Sequence, residues 1–282
     1  ISISADGEYI VAGSRDDNIY LFNKDNGTPL WNYETPSAVS SVSISADGKY
    51  IVASQSSKVY LFDKNSSTPL WSYTAEQIVQ VAISANGEYI VAGSGDYKVY
   101  LFDRGTNNNP LWSYTADWPV NSVAISANGE YIVAGLGGGA YLFHKNSSTP
   151  LWGPFGATIN CVSISEDGEY IAVGSNDNKI YLLDKDSDKD SIIPLWSYAT
   201  EGDVHSVDIA GEGEYIAVGS DDYKVYLFGR NSSIPLWSYK TSGEVRSISI
   251  SMGLEYIAAG AGWEYGSDDY KVYLFLYHNI PP

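Results

Sequence analysis

The sequence of 282 residues has very little cysteine and histidine and no long apolar run. Its single cysteine, Cys161, excludes an internal disulfide and a cysteine-based metal site, and the apolar strand pattern around it indicates a buried thiol. The three histidines, His144, His205 and His278, show no paired spacing, so a zinc or non-haem iron site is not predicted. No apolar run approaches the roughly 18 residues that span a bilayer, so no membrane span is predicted either.

Basic side chains are also scarce, with 16 Lys and Arg against 34 Asp and Glu and a net charge of -18. Nucleic-acid binding requires Lys and Arg to replace the counterions of the phosphates, so no nucleic-acid partner is predicted. Cations, basic proteins and neutral sugars remain open as partners. Because the sequence also lacks GxSxG and HExxH motifs, we predict no catalytic residues.

What the sequence has in abundance is a repeat of about forty residues. The phrase SADGEYI recurs with small changes, and a second phrase, PLW, follows it in the first six units. The glycine position of the first phrase is occupied by Gly7, Gly48, Gly87, Gly129, Gly168, Gly213 and Leu254. The tryptophans of the second phrase are Trp31, Trp71, Trp112, Trp152, Trp196 and Trp237.

Each unit is predicted to form four short strands, which we name A to D. An Asp-Gly or Asn-Gly pair indicates a hairpin between strands A and B, because Gly accepts a positive φ. Four strands in forty residues are typical of a propeller blade. We therefore predict an all-β fold, one seven-bladed β-propeller domain over residues 1–282 with four-stranded antiparallel blades. The blades are predicted to begin near residues 1, 38, 78, 120, 159, 204 and 245, with the repeated Trp and Tyr side chains packed between them.

The stretch SADGEYIVAGSGDYKVYLFD resembles the WD-repeat pattern, although Phe102-Asp103 stands at its Trp-Asp position and the Gly-His pair of that family is absent. The stretch VYLFDKNSSTPLWSY is similar to the quinoprotein (PQQ-like) repeat. This resemblance covers the whole chain and implies a propeller, a fold that hosts enzymes, receptors and scaffolds alike. A quinone enzyme would need a distinctive set of cofactor and Ca²⁺ ligands in the channel. The sequence offers none, so no PQQ is predicted.

If strands A to D run from axis to rim, the D–A and B–C loops share one face, which we call the variable face because its sequence changes between blades. In WD-like propellers this face commonly binds the partner. The A–B and C–D turns form the uniform face. Candidate partner-binding residues of the variable face are Trp118, Tyr97, Tyr223, Tyr270, His205, Arg246 and, in an insertion of blade seven, Trp263, Glu264 and Tyr265. Trp263 could instead fold over its blade as a lid.

Two functions are consistent with this pattern. The first is a non-catalytic interaction or surface scaffold that binds a protein or carbohydrate partner. The second is a carbohydrate-active propeller that uses Asp203, Asp208 and Glu244 at the channel mouth. Asp208 replaces Ser or Ala of the other blades, and we expect it to be buried and hydrogen-bonded, near His205, or to line the channel.

The C–D loops of the uniform face carry two further patterns. Asp184, Asp186, Asp188 and Asp190 alternate as in a calcium loop, but Lys189 stands where such loops have Gly. The alternative is a solvated acidic loop, so the prediction is no cofactor or, in this loop, Ca²⁺. Asn26, Asn65, Asn146 and Asn231 each begin an N-glycosylation triplet. These triplets predict an extracellular or cell-surface protein.

The repeat frame stops at strand C of blade seven, within VYLFLY. The last blade is therefore predicted to lack its outer strand within this chain. We expect that strand to come from sequence upstream of Ile1 or from a neighbouring chain, since an uncovered strand edge invites pairing.

Overall fold

The computed structural model describes residues 1–106, 108–251, 253–262 and 271–276. Within these residues, 27 strands form seven antiparallel sheets, of which six have four strands and the last has three. The predicted seven-bladed β-propeller is confirmed, including the last blade without its outer strand. None of the described segments is an apolar helix of membrane-spanning length.

The strands follow the repeat closely. Strands A are β1 Ser2–Ile3, β5 Val39–Ile44, β9 Ile78–Ile83, β13 Val120–Ile125, β17 Ile159–Ile164, β21 Val204–Ala210 and β25 Val245–Ile250. Strands B are β2 Tyr9–Gly13, β6 Tyr50–Gln55, β10 Tyr89–Ser94, β14 Tyr131–Leu136, β18 Tyr170–Ser175, β22 Tyr215–Ser220 and β26 Tyr256–Ala261. Strands C are β3 Asn18–Asn23, β7 Lys58–Asp63, β11 Lys98–Asp103, β15 Gly139–His144, β19 Lys179–Asp184, β23 Lys224–Gly229 and β27 Lys271–Leu276. Strands D are β4 Trp31–Glu34, β8 Trp71–Thr74, β12 Pro110–Thr115, β16 Trp152–Phe155, β20 Trp196–Ala199 and β24 Trp237–Lys240.

The A–B turn explains why the phrase SADGEY recurs. In blade two, Ser45 Oγ donates to Asp47 Oδ1 at 2.6 Å, and the Gly48 amide donates to the Ser45 carbonyl at 2.9 Å. Gly48 has a φ of +68°, and a Cβ on it would lie 2.6 Å from the ring of Tyr9 in blade one. Glycine is therefore required here both for the backbone conformation and for the close approach of the neighbouring blade.

Neighbouring blades are joined by the tryptophans of strand D. Trp31 Nε1 donates to the Lys64 carbonyl of the next blade at 2.8 Å, and the same bond links Trp112 to Lys145 at 2.8 Å. The indole of Trp31 also packs on the Phe62 ring, with centroids 5.4 Å apart. Each blade thereby buries the apolar face of the one before it, which is how a four-stranded sheet with two apolar faces is stabilised.

The described chain divides into two compact units. The first contains Ile1–Ala134 and Phe143–Pro150, and it includes the sheets of blades one to three. The second contains Gly135–Leu142 and Leu151–Pro282, and it includes the sheets of blades five to seven. Blade four contributes residues to both units.

Candidate functional site

In three blades the D–A and B–C loops are joined by a threonine that directly follows strand D. Buried Thr35 donates its hydroxyl to the Asp17 carbonyl at 2.8 Å, and Thr200 donates to the Asn178 carbonyl at 2.9 Å. Thr241 makes the same bond to the Tyr223 carbonyl at 2.9 Å. Because D–A and B–C loops are bonded to each other in these blades, residues predicted for the variable face lie on adjoining loops.

In the first unit, exposed apolar side chains lie on two of three adjoining loops around blade three and on strand β9. The Gly95 amide donates to the Gln77 carbonyl at 2.8 Å, and the Ala116 amide donates to the Tyr97 carbonyl at 2.8 Å, so these loops adjoin. Tyr97 is 46% exposed, Trp118 is 54% exposed, and Val79 at the start of β9 is exposed as well. We call Val79, Tyr97 and Trp118 the blade-three patch.

Tyr97 adopts a backbone conformation that an aromatic residue rarely takes. Its φ is +72°, and Tyr223 in blade six has a φ of +66°. Asp17 and Asn178 stand at the same turn position with φ values of +68° and +64°. Asp and Asn tolerate this region, whereas a bulky side chain costs about 1 kcal/mol there, so the tyrosines are not present for backbone stability.

In the second unit, a charged cluster joins blades six and seven on the variable face. We define it as Asp203, His205, Asp221, Glu244 and Arg246. His205 Nε2 lies 2.7 Å from Asp221 Oδ2, and the Asp221 amide donates to the Asp203 carbonyl at 2.9 Å. The Arg246 guanidinium donates to Glu244 through Nε at 2.9 Å and also through Nη2. His205 and Arg246, two predicted site residues, are thereby brought together, with Nη1 of Arg246 3.1 Å from His205 Nε2.

The charged cluster holds three carboxylates, one guanidinium and one imidazole, so its acidic groups outnumber its basic ones. The ligand atoms of Asp203, His205 and Asp221 lie within 4.8 Å of one another, which is compact enough for a cation. However, Arg246 Nε lies 3.6 Å from Asp221 Oδ1, so the guanidinium already supplies positive charge at this place. A metal ion would have to compete with it. The cluster is therefore best described as a polar, acidic contact surface whose charge Arg246 partly offsets.

Asp221 is a site residue that the sequence interpretation missed. It is separated from His205 by 16 residues and lies in the B–C turn of blade six. Asp221 could have been found from its position in the repeat, because B–C turns and the beginnings of strands A lie on the same face. His205 pairs with Asp221, and the described contacts do not join it to Asp208.

Asp208 instead links three blades through its carboxylate. Oδ1 accepts bonds from the Ile209 amide at 3.1 Å and from Ser163 of blade five at 3.4 Å. Oδ2 accepts bonds from Ser249 at 3.2 Å and from the Ile250 amide at 3.0 Å in blade seven. Burial raises the pKa of the Asp208 carboxyl to about 6, although these hydrogen bonds favour the charged form. The geometry agrees with the expectation of a hydrogen-bonded carboxylate, although the side chain is half-buried rather than fully buried.

The acidic loop of blade five uses its carboxylates within its own turns. Asp184 Oδ1 accepts from the Asp186 amide at 2.8 Å, and Asp188 Oδ1 accepts from the Asp190 amide at 3.0 Å. Lys185 pairs with Asp186 at 2.8 Å, which raises the pKa of the lysine above its usual range. The four aspartates do not form a compact ligand group in the described structure. Calcium binding at this loop stays a prediction.

The remaining predicted residues fall into two groups. Asn26, Asn65, Asn146 and Asn231 are exposed in C–D turns, so all four are accessible to modification. Trp263, Glu264, Tyr265 and Tyr270 lie outside the described residues. Cys161 is buried as predicted, and desolvation raises the pKa of its thiol to about 12, so it is not a reactive nucleophile.

Comparisons with known proteins bear on the fold. The family model described as outer membrane protein assembly factor BamB, of the PQQ-like type, matches residues 2–135. The model of the WD domain, G-beta repeat, matches residues 148–184 and 193–228. No curated protein matches the sequence.

Among solved structures, the chain is similar to the β-propeller domain of Cps50 (Swd1) from Myceliophteria thermophila. The two are 15% identical, with a TM-score of 0.75 over 92% of this chain and 91% of that chain. At this identity the likeness shows the fold and not a shared partner. The chain is thus a seven-bladed β-propeller built from repeats that are similar to both PQQ-like and WD repeats.

Proposed function

We propose that this propeller is a non-catalytic protein-interaction scaffold whose partner binds the variable face through the blade-three patch. The observation that carries the proposal is the exposure of Trp118. Of the seven tryptophans that the structure describes, the six of strand D are buried or half-buried, whereas Trp118 presents about half of its surface to solvent. Exposed aromatic side chains on ordered loops are the residues that most often dominate the energy of an interface.

The strained backbone of Tyr97 supports the same conclusion. An aromatic residue at a position that suits Asp or Asn lowers the stability of the turn, so its presence calls for another role. Its side chain is exposed on the loop that bonds to the loop of Trp118. Two aromatic anchors on joined loops form a preorganised surface, which reduces the entropy lost on binding.

The acidic flanks of the patch indicate the chemistry of the partner. Glu76 and Asp117 are exposed beside it, and the whole chain carries a net charge of -18. We therefore propose a partner segment with basic residues around an apolar one, because opposite potentials steer association and fix orientation. Tyr223, His205 and Arg246 would provide a second, polar contact on the same type of loop. Trp263, Glu264, Tyr265 and Tyr270 stay predicted contacts.

The test is affinity capture from an extract of the source cells, with immobilised wild-type chain, the variants Trp118→Ala and Tyr97→Asn, and the control Leu111→Ala. Leu111 is exposed on strand β12, outside the patch, so its removal matches the loss of apolar surface. We expect a protein that is retained by the wild type and the control and reduced at least about tenfold by Trp118→Ala, the loss expected for an interface anchor. Equal capture by all four chains would remove the blade-three patch from the proposal.

The carbohydrate-active alternative receives no support from the comparisons or from the carboxylates that it requires. Glu244 is bound by Arg246, and the Asp208 carboxylate accepts hydrogen bonds from Ser163, Ser249 and the Ile250 amide, which join it to two neighbouring strands A. Carboxylates engaged in this way are poorly placed to exchange protons with a sugar. The proposed location, outside the cell or on its surface, is supported by the four exposed N-glycosylation triplets.

A further inference from the structure

Part of the charged cluster occupies positions where the repeat does not require a charge. Asp203 precedes strand β21, His205 is the second residue of that strand, and Asp221 directly follows strand β22. In blades two to five the same three positions hold uncharged residues. Examples are Ala38, Ser40 and Ser56 in blade two and Thr158, Asn160 and Asn176 in blade five. Because those blades form sheets of the same topology, the fold does not account for an imidazole and two carboxylates at this place.

Asp203, His205 and Asp221 meet the requirements of a metal site in position and in access. One ligand atom of each lies within 4.8 Å of the other two, and the Asp221 amide donates to the Asp203 carbonyl at 2.9 Å, which ties their two loops together. Atoms about 2.1 Å from a shared ion are at most about 4.2 Å apart, so small movements of the side chains complete the geometry. The side chains of His205 and Asp221 are 21% and 23% exposed, so their packing restricts them while an ion can still reach them.

The hydrogen bonds of these three residues do not satisfy all of their polar atoms. His205 Nε2 lies 2.7 Å from Asp221 Oδ2 and 3.1 Å from Arg246 Nη1. A ring nitrogen carries either a proton or a lone pair, so Nε2 can bond to only one of these two neighbours. Asp221 Oδ1 is buried and accepts no hydrogen bond from the described residues, and Arg246 Nε at 3.6 Å is too distant to donate one. A metal ion satisfies both residues, because it accepts the lone pair of the imidazole and pairs with the charge of the carboxylate.

We propose that Asp203, His205 and Asp221 bind a divalent transition-metal ion, with zinc as the reference ion. One imidazole nitrogen and two carboxylate oxygens form a ligand set that suits zinc, and a water molecule would complete a four-coordinate site. The spacing of histidines along the chain does not indicate this site, because its ligands come from a D–A loop, a strand A and a B–C turn. The inference uses no residue of the blade-three patch and does not depend on the proposed function.

Arg246 is a cation of the chain itself that competes for this site. Its guanidinium contacts His205 and lies near Asp221, while Glu244 accepts two hydrogen bonds from it. A metal ion and the guanidinium repel each other, so both cannot lie close to the same ligand atoms. Zinc binding therefore requires the guanidinium to move away from His205 Nε2, and its removal should strengthen binding.

The experiment is a calorimetric titration of the full chain, without an affinity tag and after chelator treatment and dialysis, with zinc chloride. We expect one ion per chain with a Kd of about 0.1 mM or tighter. His205→Asn and Asp221→Asn should each weaken binding at least about tenfold, since each removes a ligand. Both variants introduce the residue that blade five has at the same position, so the chain should fold, and circular dichroism checks this. Arg246→Gln should strengthen binding by about threefold, the size expected for loss of one competing surface charge.

Two matched controls separate ligation from a general effect of charge. Glu201→Gln removes a carboxylate from the same D–A loop, but Glu201 pairs with Lys224 at 3.1 Å, so the zinc affinity should stay unchanged. Arg230→Gln removes a guanidinium from a C–D turn and should not strengthen binding. Loss of affinity in Glu201→Gln equal to that in Asp221→Asn overturns the inference, as does an equal gain in Arg230→Gln and Arg246→Gln.

Nuclear magnetic resonance of the imidazole nitrogens locates the ion. The Nε2 signal that is absent from His205→Asn should shift when zinc is added to the wild type, and Trp118→Ala should bind zinc as the wild type does. Absence of binding up to about 1 mM zinc overturns the inference, as does binding that both His205→Asn and Asp221→Asn leave intact. A His205 signal that zinc does not move would also overturn it.

Discussion

Asp208 provides a sharp test of how blades five, six and seven are joined, because the other blades place Ser or Ala in its column. Burial raises the pKa of this carboxyl from its ordinary value of 3.8 to about 6. Between these two values the folded chain binds more protons at Asp208 than the unfolded chain. The stability contributed by protonated Asp208 is therefore complete below pH 3.8 and is lost as the pH rises through about 6.

The size of this change in stability follows from the shift in the pKa of Asp208. A change of roughly 2 pKa units corresponds to about 3 kcal/mol, since one unit is about 1.4 kcal/mol. Asp208 is only half-buried by its accessible surface, so solvent screens part of this, and we expect about 1–2 kcal/mol. The variant Asp208→Ser restores the residue that stands at this position in blades two, five and seven, Ser43, Ser163 and Ser249.

The measurement is urea unfolding of the wild type and Asp208→Ser at several pH values from 4 to 7. The unfolding free energy of the wild type minus that of the variant should fall by about 1–2 kcal/mol over this range. The hydrogen bonds lost in the variant change this free-energy difference by the same amount at every pH. Only its dependence on pH therefore tests the pKa of Asp208. Asp6→Asn is the control: hydrogen bonds from Ser4 and from the Glu8 amide lower the pKa of Asp6, so its contribution is lost only below pH 3.8 and its difference should stay flat from pH 4 to 7. A flat difference for Asp208→Ser between pH 4 and 7 would refute the reasoning.

Four further outcomes are expected. Tyr97→Asn should raise the unfolding free energy by about 0.5–1 kcal/mol in chemical denaturation, because Asn tolerates positive φ. A lower unfolding free energy would contradict the statement that the backbone of Tyr97 is strained. Trp112→Phe should cost about 1 kcal/mol more than Trp237→Phe in the same assay, since the Trp112 indole donates to Lys145 while Trp237 Nε1 has no acceptor among the described residues. Treatment of the secreted chain with an N-glycosidase should reduce its mass, and Asn65→Gln should remove one glycan; a mass that the enzyme leaves unchanged would count against glycosylation. In the absence of zinc, a chelator should leave the melting temperature unchanged, because the aspartates of the blade-five loop bond within their own turns, and a Ca²⁺-dependent rise would establish a calcium site instead.

The sequence predicts the fold well because the residues that form the A–B turns and the contacts between blades recur from repeat to repeat. Gly48 and its equivalents fix the A–B turn and admit the tyrosine of the preceding blade, while Trp31 and its equivalents bond to the next blade. Both signals are local in the repeat and recur at a constant period, so they are visible without knowledge of tertiary contacts.

The candidate site is predicted less completely because its contacts join different parts of the repeat. Exposure of Trp118 and Tyr97 could be expected from their positions in polar loops. The bond of His205 to Asp221 could not, since it joins a strand A to a B–C turn. Whether Asp208 contacts His205 could not be predicted either, because the register of β21 shifts between Val204 and Ser206, so the simple alternation of faces does not hold there.

The contrast between the tryptophans makes the strongest case for function on the variable face. On the uniform face, five of the six strand D indoles donate a hydrogen bond to the next blade, as Trp152 does to the Lys185 carbonyl at 3.0 Å. Such a residue cannot be lost without loosening two blades. Trp118 has no equivalent in the other repeats and contributes no such bond among the described contacts, so stability does not account for it. The proposed role in binding gives a reason for an aromatic residue that the fold does not need, on a loop bonded to that of a strained tyrosine.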